Sequence, residues 1–182
     1  MGQLRAVLFD AFGTLLDAGG LHEAATRRIL AELGLEGLDA AKLHREWDEE
    51  ALALIPDGPP FPSMLDLFRE GLIRCLARRG LSLGGEELDR AMDILVATFR
   101  EGTKPFKGAH DIVSFCRELG LRTALVSNAN AGLLRYLLAK TGLESVLDVI
   151  IISDEVGLMK PNKRIFELAL SRLGVGAREA IM

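Results

Sequence analysis

Apolar residues are distributed along this chain in two ways. The first stretch, Ala6-Val7-Leu8-Phe9, is apolar without interruption and ends at Asp10. A short, wholly apolar run closed by an acid predicts a buried parallel strand whose last residue emerges at the sheet edge. The turn Ala11-Phe12-Gly13-Thr14-Leu15-Leu16 follows. From residue 17 to about 103 the period becomes helical. Leu21, Ala25, Ile29 and Leu33 form one apolar stripe, and Leu43, Trp47, Ala51 and Leu54 a second. Leu67, Phe68, Leu72, Cys75 and Leu76 make a third, and Leu88, Met92, Leu95, Val96 and Phe99 a fourth. Pro56-Asp57-Gly58-Pro59-Pro60 separates the second helix from the third, and Ser63 is placed to cap the third.

After Pro105 helices and strands alternate. Helices are predicted over 108–119, 131–141 and 162–173. Strands are predicted over 123–127 and 149–152, and Ala180-Ile181-Met182 opens another. This alternation predicts a parallel sheet covered on both faces. Gly34-Leu35, Gly80-Leu81, Gly120-Leu121, Gly142-Leu143 and Gly174-Val175 each mark a helix end. Glycine takes the left-handed cap conformation and the next apolar residue packs back on the helix. The chain thus divides into an α/β core, residues 1–16 and 104–182, and a four-helix insert, residues 17–103.

Composition narrows the function. The 182 residues are 49% hydrophobic and 26% charged, with 22 Lys and Arg against 26 Asp and Glu. A net charge of −4 lacks the basic footprint of a nucleic-acid binder. Runs such as Val149-Ile150-Ile151-Ile152 are too short to span a bilayer. With two cysteines, Cys75 and Cys116, and no signal-peptide pattern, the expected setting is the reduced cytoplasm.

In open α/β sheets the site lies at the carboxyl ends of the strands. Those ends deliver Asp10, then Ser127 and Asn128, and a loop beyond the next strand delivers Lys160. A carboxylate, a hydroxyl, an amide and an ammonium suit nucleophilic catalysis through an ester on Asp10. Lys160 would neutralise charge on Asp10 and on an anionic substrate. Ser127 and Asn128 would donate hydrogen bonds to substrate oxygens. Thr14 and the amides of the Phe12-Gly13-Thr14 turn would position the nucleophile or cradle an anion. The bland alternatives are turn residues at Ser127 and Asn128, a solvated Lys160, buried inert thiols, and Trp47 packed between helices. The histidines His22, His44 and His110 sit on helical stretches, His110 near the start of the first core helix after the insert.

Phe9-Asp10-Ala11-Phe12-Gly13-Thr14-Leu15 resembles the first motif of the haloacid dehalogenase-like (HAD) hydrolases. Leu125-Val126-Ser127-Asn128 resembles their second motif. Val156-Gly157-Leu158-Met159-Lys160-Pro161, followed by Arg164-Ile165-Phe166, resembles their third. The resemblance implies a doubly wound, Rossmann-like core with a helical cap of the dehalogenase-type branch. It implies Asp10 as nucleophile, Lys160 as its partner, and Ser127 and Asn128 as substrate-binding residues, which Thr14 joins from its place on the turn. It also implies a cap that supplies substrate-reading side chains.

The chain departs from the motifs in three places. Phosphatases of the superfamily carry a second Asp two residues after the nucleophile, where this chain has Phe12. Losing that general acid costs about a hundredfold or more. Dehalogenases of 2-haloacids hold the substrate carboxylate with a cap arginine after an aromatic, but Trp47 is followed here by Asp48, and Arg45 is a weak substitute. Their tyrosine six residues after the lysine is Phe166. The fourth motif, an acidic pair on the strand after the third, would begin where the chain reads Ala180-Ile181-Met182. Asp10 and the backbone carbonyl of Phe12 would then be the only metal contacts, a poor set for octahedral Mg²⁺.

The expected function is hydrolysis of a small phosphorylated metabolite through an aspartyl ester, with Mg²⁺ in a complete phosphatase. The alternatives are carbon–halogen hydrolysis without a metal, and a non-catalytic or truncated fold serving as a binding module. The expected partner is a small anionic substrate, with neither nucleic acid nor membrane. With the strands after Met182 missing, Ala6–Phe9 would be an exposed edge open to self-association.

Overall fold

A computed structural model describes residues 3–182. Its residues fall into two compact units. One runs to Asp17, takes in Gly58–Phe61 and resumes at Thr103; the other comprises Ala18–Asp57 and Pro62–Gly102.

The first unit is built on a parallel sheet of β1 (Ala6–Phe9), β4 (Arg122–Ser127), β5 (Val149–Ile152) and β6 (Ala180–Ile181), in the order β5-β4-β1-β6. Phe9 pairs with Leu125, and Ser127 pairs with Ile152. The strands are apolar on both faces because both are covered. Phe9, Leu125 and Ile152 point into one cluster with Val113 of α5 (Ala109–Glu118) and Leu134, Leu137 and Leu138 of α6 (Ala131–Thr141). Ala6, Leu8, Ala124, Val126 and Ile151 face the other way, onto Ile165, Ala169 and Leu173 of α8 (Lys163–Leu173). Each fully buried leucine contributes about 2 kcal/mol by leaving water.

Some short elements lie outside the sequence pattern. β2 (Leu16–Asp17) pairs antiparallel with β3 (Lys104–Pro105), a ribbon too short to carry an alternation. Ser153–Val156 forms one helical turn, α7.

The expectation of a bare first strand is corrected. β6 pairs with Ala6 and Val7, and the Arg5 amide donates to the Glu179 carbonyl at 2.7 Å. Two residues in register suffice to make this ladder, so β6, not β1, stands at that edge of the sheet.

The second unit holds α1 (Leu21–Glu32), α2 (Ala40–Ala53), α3 (Met64–Ala77) and α4 (Gly85–Gly102). Asp39 caps α2 by accepting from the Lys42 amide, and Ser63 caps α3 by accepting from the Asp66 amide, each at 3.1 Å. Ile29, Leu43, Trp47, Leu72, Leu76 and Met92 form its core. The helices α2 and α3 approach closely at Gly71, where a Cβ would lie 3.0 Å from the Ala51 nitrogen. Among the described residues no helix is long and apolar enough to cross a membrane.

Candidate active site

The strand order turns back beside β1, and Asp10 is the first residue after that strand. In doubly wound sheets such a reversal opens a crevice at the strand ends. Asp10 Oδ1 accepts two hydrogen bonds, from the Ala11 amide at 2.8 Å and from Lys160 Nζ at 2.7 Å. The Asp10 side chain is 35% exposed and that of Lys160 19%, so the pair is partly desolvated yet open to a small molecule. Charge-assisted bonds of this length are the stronger kind.

Lys160 lies in the connection between α7 and α8, outside any helix or strand. The side chain of Asn128, one residue past β4, grips its backbone. Asn128 Oδ1 accepts from the Lys160 amide at 2.7 Å, and Nδ2 donates to the Lys160 carbonyl at 2.9 Å. The neighbouring contacts tie the same loops. The Ala129 amide donates to Ser153 Oγ at 3.0 Å, and Asn130 Oδ1 caps α6 by accepting from the Leu133 amide. Arg135 on α6 makes a fork with Glu155, at 2.7 and 2.8 Å, and that guanidinium holds the Glu155 carboxyl below the usual carboxylate range.

The sequence-derived candidates are therefore distributed unevenly. Asp10 and Lys160 are in direct contact. Ser127 ends β4 and is 1% exposed. Asn128 was expected to face substrate oxygens, but its amide carbonyl and one amide N–H are engaged by Lys160. Thr14 is exposed on the turn after β1. The expected cradle of turn amides is corrected in part. The Gly13 amide donates to Leu16 O at 2.9 Å and the Thr14 amide to Ala11 O at 3.3 Å, because the turn closes on itself. The amide that reaches the Asp10 carboxylate is that of Ala11.

The donors at this crevice are few for a metal such as Mg²⁺. Among the described residues no group of three or more His, Cys, Asp or Glu side chains could hold a metal together. Asp10 and the Phe12 carbonyl are two oxygens, and Asp10 Oδ1 already carries the Lys160 ammonium. Near-octahedral Mg²⁺ does not fit this set.

In the helical unit His22 Nδ1 lies 2.7 Å from Asp48 Oδ1, and the His22 ring packs between Trp47 and Phe68, with centroids at 4.6 and 5.2 Å. The Trp47 indole donates to the Phe68 carbonyl at 2.6 Å, a packing role. His22 Nε2 and His44 Nδ1 are buried with no hydrogen-bond partner among the described residues. His22 and Asp48 stand on different helices, so no periodicity announces their pairing. His110 Nε2 bonds the Thr141 carbonyl at 2.6 Å and ties α5 to the end of α6. Burial pushes the Cys75 thiol up to about 11 and raises that of Cys116, as inert core thiols should behave.

Comparison with known proteins agrees with this architecture. A profile of the haloacid dehalogenase-like hydrolases matches residues 4–182. The chain is 29% identical over 176 residues to (S)-2-haloacid dehalogenase 4A of Burkholderia cepacia, covering 97% of this chain and 72% of that one. It is 30% identical over 186 residues to glyceraldehyde 3-phosphate phosphatase of Methanopyrus kandleri, covering 98% and 74%. A crystal structure of a dehalogenase superposes with a TM-score of 0.70 at 26% identity, covering 99% of this chain and 76% of that one. The helical insert after the first strand, the order of the three motifs and these similarities together establish that the chain is an enzyme of the haloacid dehalogenase-like hydrolase family, in its dehalogenase-type branch.

Proposed function

We propose that the chain hydrolyses a small anionic substrate through a covalent ester on Asp10, and that the substrate is a phosphorylated metabolite whose leaving group departs without a proton. The contact of Lys160 Nζ with Asp10 Oδ1 carries this reading. The ammonium and the Ala11 amide both engage Oδ1. They aim the carboxylate and leave Oδ2 to attack. Oδ2 forms a bond to phosphorus as the bond to the leaving group breaks, and the electron pair departs with that group. Water then cleaves the ester, returns the carboxylate and releases a proton. In a complete phosphatase site Mg²⁺ would screen the phosphoryl oxygens; the residues described here do not form that site.

Phe12 shapes the substrate class. It stands where the phosphatase pattern has a general acid and has no proton to give. A leaving group that is a stable anion needs none, so acyl and aryl phosphates should react far better than alkyl phosphates. Phe12 equally favours a second reading, in which Oδ2 displaces halide from a 2-haloacid. Against that reading, Asp48 follows Trp47 where a cation would hold the substrate carboxylate, and Asp48 is paired with His22.

The test is a panel of acetyl phosphate, p-nitrophenyl phosphate, glycerol 3-phosphate and 2-chloropropionate, with and without Mg²⁺. The expected order is acyl over aryl over alkyl phosphate. Asp10→Asn should lower turnover by about a thousandfold or more. Halide release exceeding phosphate release would install the second reading. Unchanged turnover in Asp10→Asn would remove Asp10 from the chemistry.

A further inference from the structure

Lysine is a poor positioning device unless its main chain is fixed. Its stem has four rotatable bonds, and ordering it costs about 2 kcal/mol. Lys160 sits in an irregular connection where no helix or sheet ladder sets its Cα. Pro161, which follows it, has no amide to contribute. Asn128 makes up for this. Its amide group bonds both backbone groups of Lys160, at 2.7 and 2.9 Å, as a neighbouring strand would.

Asn128 is itself held from below. The next residue, Ala129, is 4% exposed and donates its amide to Ser153 Oγ, a buried hydroxyl at the end of β5. Asn130 caps α6. Thus the loop after β4 is anchored to the loop after β5 before Asn128 reaches across to Lys160. The Asn128 carbonyl oxygen and one of its two amide N–H groups are thus committed to the Lys160 backbone.

We propose that Asn128 is a positioning residue for Lys160. It fixes the Lys160 main chain so that the ammonium reaches Asp10 Oδ1. The proposal rests on the reading of Asp10 as nucleophile for its catalytic consequence, but its geometric content can be tested alone.

Asn128→Ala removes both bonds. Asn128→Asp keeps an acceptor for the Lys160 amide and turns an oxygen toward the Lys160 carbonyl. In whichever panel substrate is turned over, Asn128→Ala should lower kcat by about ten- to a hundredfold and leave KM within about twofold. Asn128→Asp should fall between parent and Asn128→Ala. In a background of Lys160→Met, adding Asn128→Ala should slow turnover no further, since the two act as one unit. A raised KM at unchanged kcat would make Asn128 a substrate ligand and overturn the proposal, as would independent, multiplicative losses.

A second measurement needs no turnover. The NMR scalar coupling across the Lys160 Nζ–Asp10 Oδ1 hydrogen bond should be present in the parent and lost in Asn128→Ala. It should survive in Asn130→Ala, which removes the α6 cap and controls for a general loss of stability. Persistence of the coupling in Asn128→Ala, or its absence in the parent, overturns the proposal. Asp10→Asn with undiminished turnover would instead overturn the nucleophile reading and leave the coupling to decide the positioning role.

Discussion

The α/β unit and the helical unit both bury continuous apolar clusters, but they handle polar groups differently. In the α/β unit, buried and half-buried side chains bond the backbone of distant segments. Asn128 grips Lys160, Ser153 Oγ receives the Ala129 amide, and the Asp148 carboxylate receives the Thr123 amide at 2.8 Å. In the helical unit the buried hydroxyls of Thr26 and Thr98 bond the carbonyls of His22 and Ile94 in their own helices, Thr98 Oγ1 also accepts from Arg28, and the Trp47 indole reaches the Phe68 carbonyl on another helix. Its helices are joined mainly toward the surface by ion pairs, Arg79 with Glu46, Arg69 with Asp89 and Arg90 with Glu32. Of the buried side-chain nitrogens and oxygens without a partner among the described residues, His22 Nε2 and His44 Nδ1 belong to the helical unit. The third, Thr103 Oγ1, stands at the first residue of the returning α/β segment.

The difference has a physical meaning. A buried hydrogen bond to a backbone group is directional, is screened little by water, and fixes where a loop lies. An exposed ion pair contributes at most about 1 kcal/mol and tolerates several geometries. The α/β unit therefore has the means to hold reacting groups to fractions of an ångström.

Four changes would sharpen or break this contrast, from the largest effect to the smallest. Trp47→Ala empties the centre of the helical core and should cost about 3–5 kcal/mol. Hydrogen exchange should show the loss of protection concentrated in α1 to α4, with the amides of β1, β4 and β5 protected as before. Equal loss in the sheet would show that the units unfold as one. Gly71→Ala places a methyl group against the Ala51 backbone, where no side chain can yield. Overpacking of this kind should cost about 1–3 kcal/mol, read as a lower midpoint in urea.

His22→Phe tests the lone imidazole nitrogen. The ring already packs against Trp47 and Phe68, and Phe removes a buried nitrogen without a partner. Relieving that group should raise stability by about 1 kcal/mol, since Asp48 can return to water. A fall in melting temperature would mean that the His22–Asp48 bond outweighs the unpartnered nitrogen.

The smallest effect concerns pH. The hydrogen bond from Arg135 is the main cause of the lowered Glu155 pKa. A carboxyl lowered in the folded state stabilises the fold fully above its unfolded pKa, and that contribution fades as pH falls through the folded value. Arg135→Gln should therefore cost about 0.5 kcal/mol at pH 7 and nothing once Glu155 is protonated in both states. Urea midpoints at pH 7 and pH 3, compared between parent and variant, should converge at the acid end. At the alkaline end, Cys75 raised to about 11 acts in the opposite sense. The unfolded thiol ionises first, so stability falls as pH rises above about 9.

The sequence by itself determined the elements and their ends. At Gly34, Gly80, Gly120 and Gly174 the backbone turns left-handed. The residue after each donates back into the helix, as Leu35 does to Leu30 O at 2.8 Å and Val175 to Leu170 O at 3.1 Å. Such signals are local, because a cap or a helical stripe depends on residues within one or two turns. The uninterrupted apolar strands likewise announced a sheet covered on both faces, and the strand ends announced where Asp10, Ser127 and Asn128 would lie. Only the tertiary structure decided the pairings among side chains. The Asp10–Lys160 contact spans 150 positions and the Asn128–Lys160 grip 32, and no period in the chain encodes either. The closed turn after β1 and the ladder of β6 on Ala6 and Val7 were also settled by backbone bonding that composition leaves unmarked. A hydrogen bond between distant residues depends on where the packed core brings their backbones, so it becomes visible only once that core has formed.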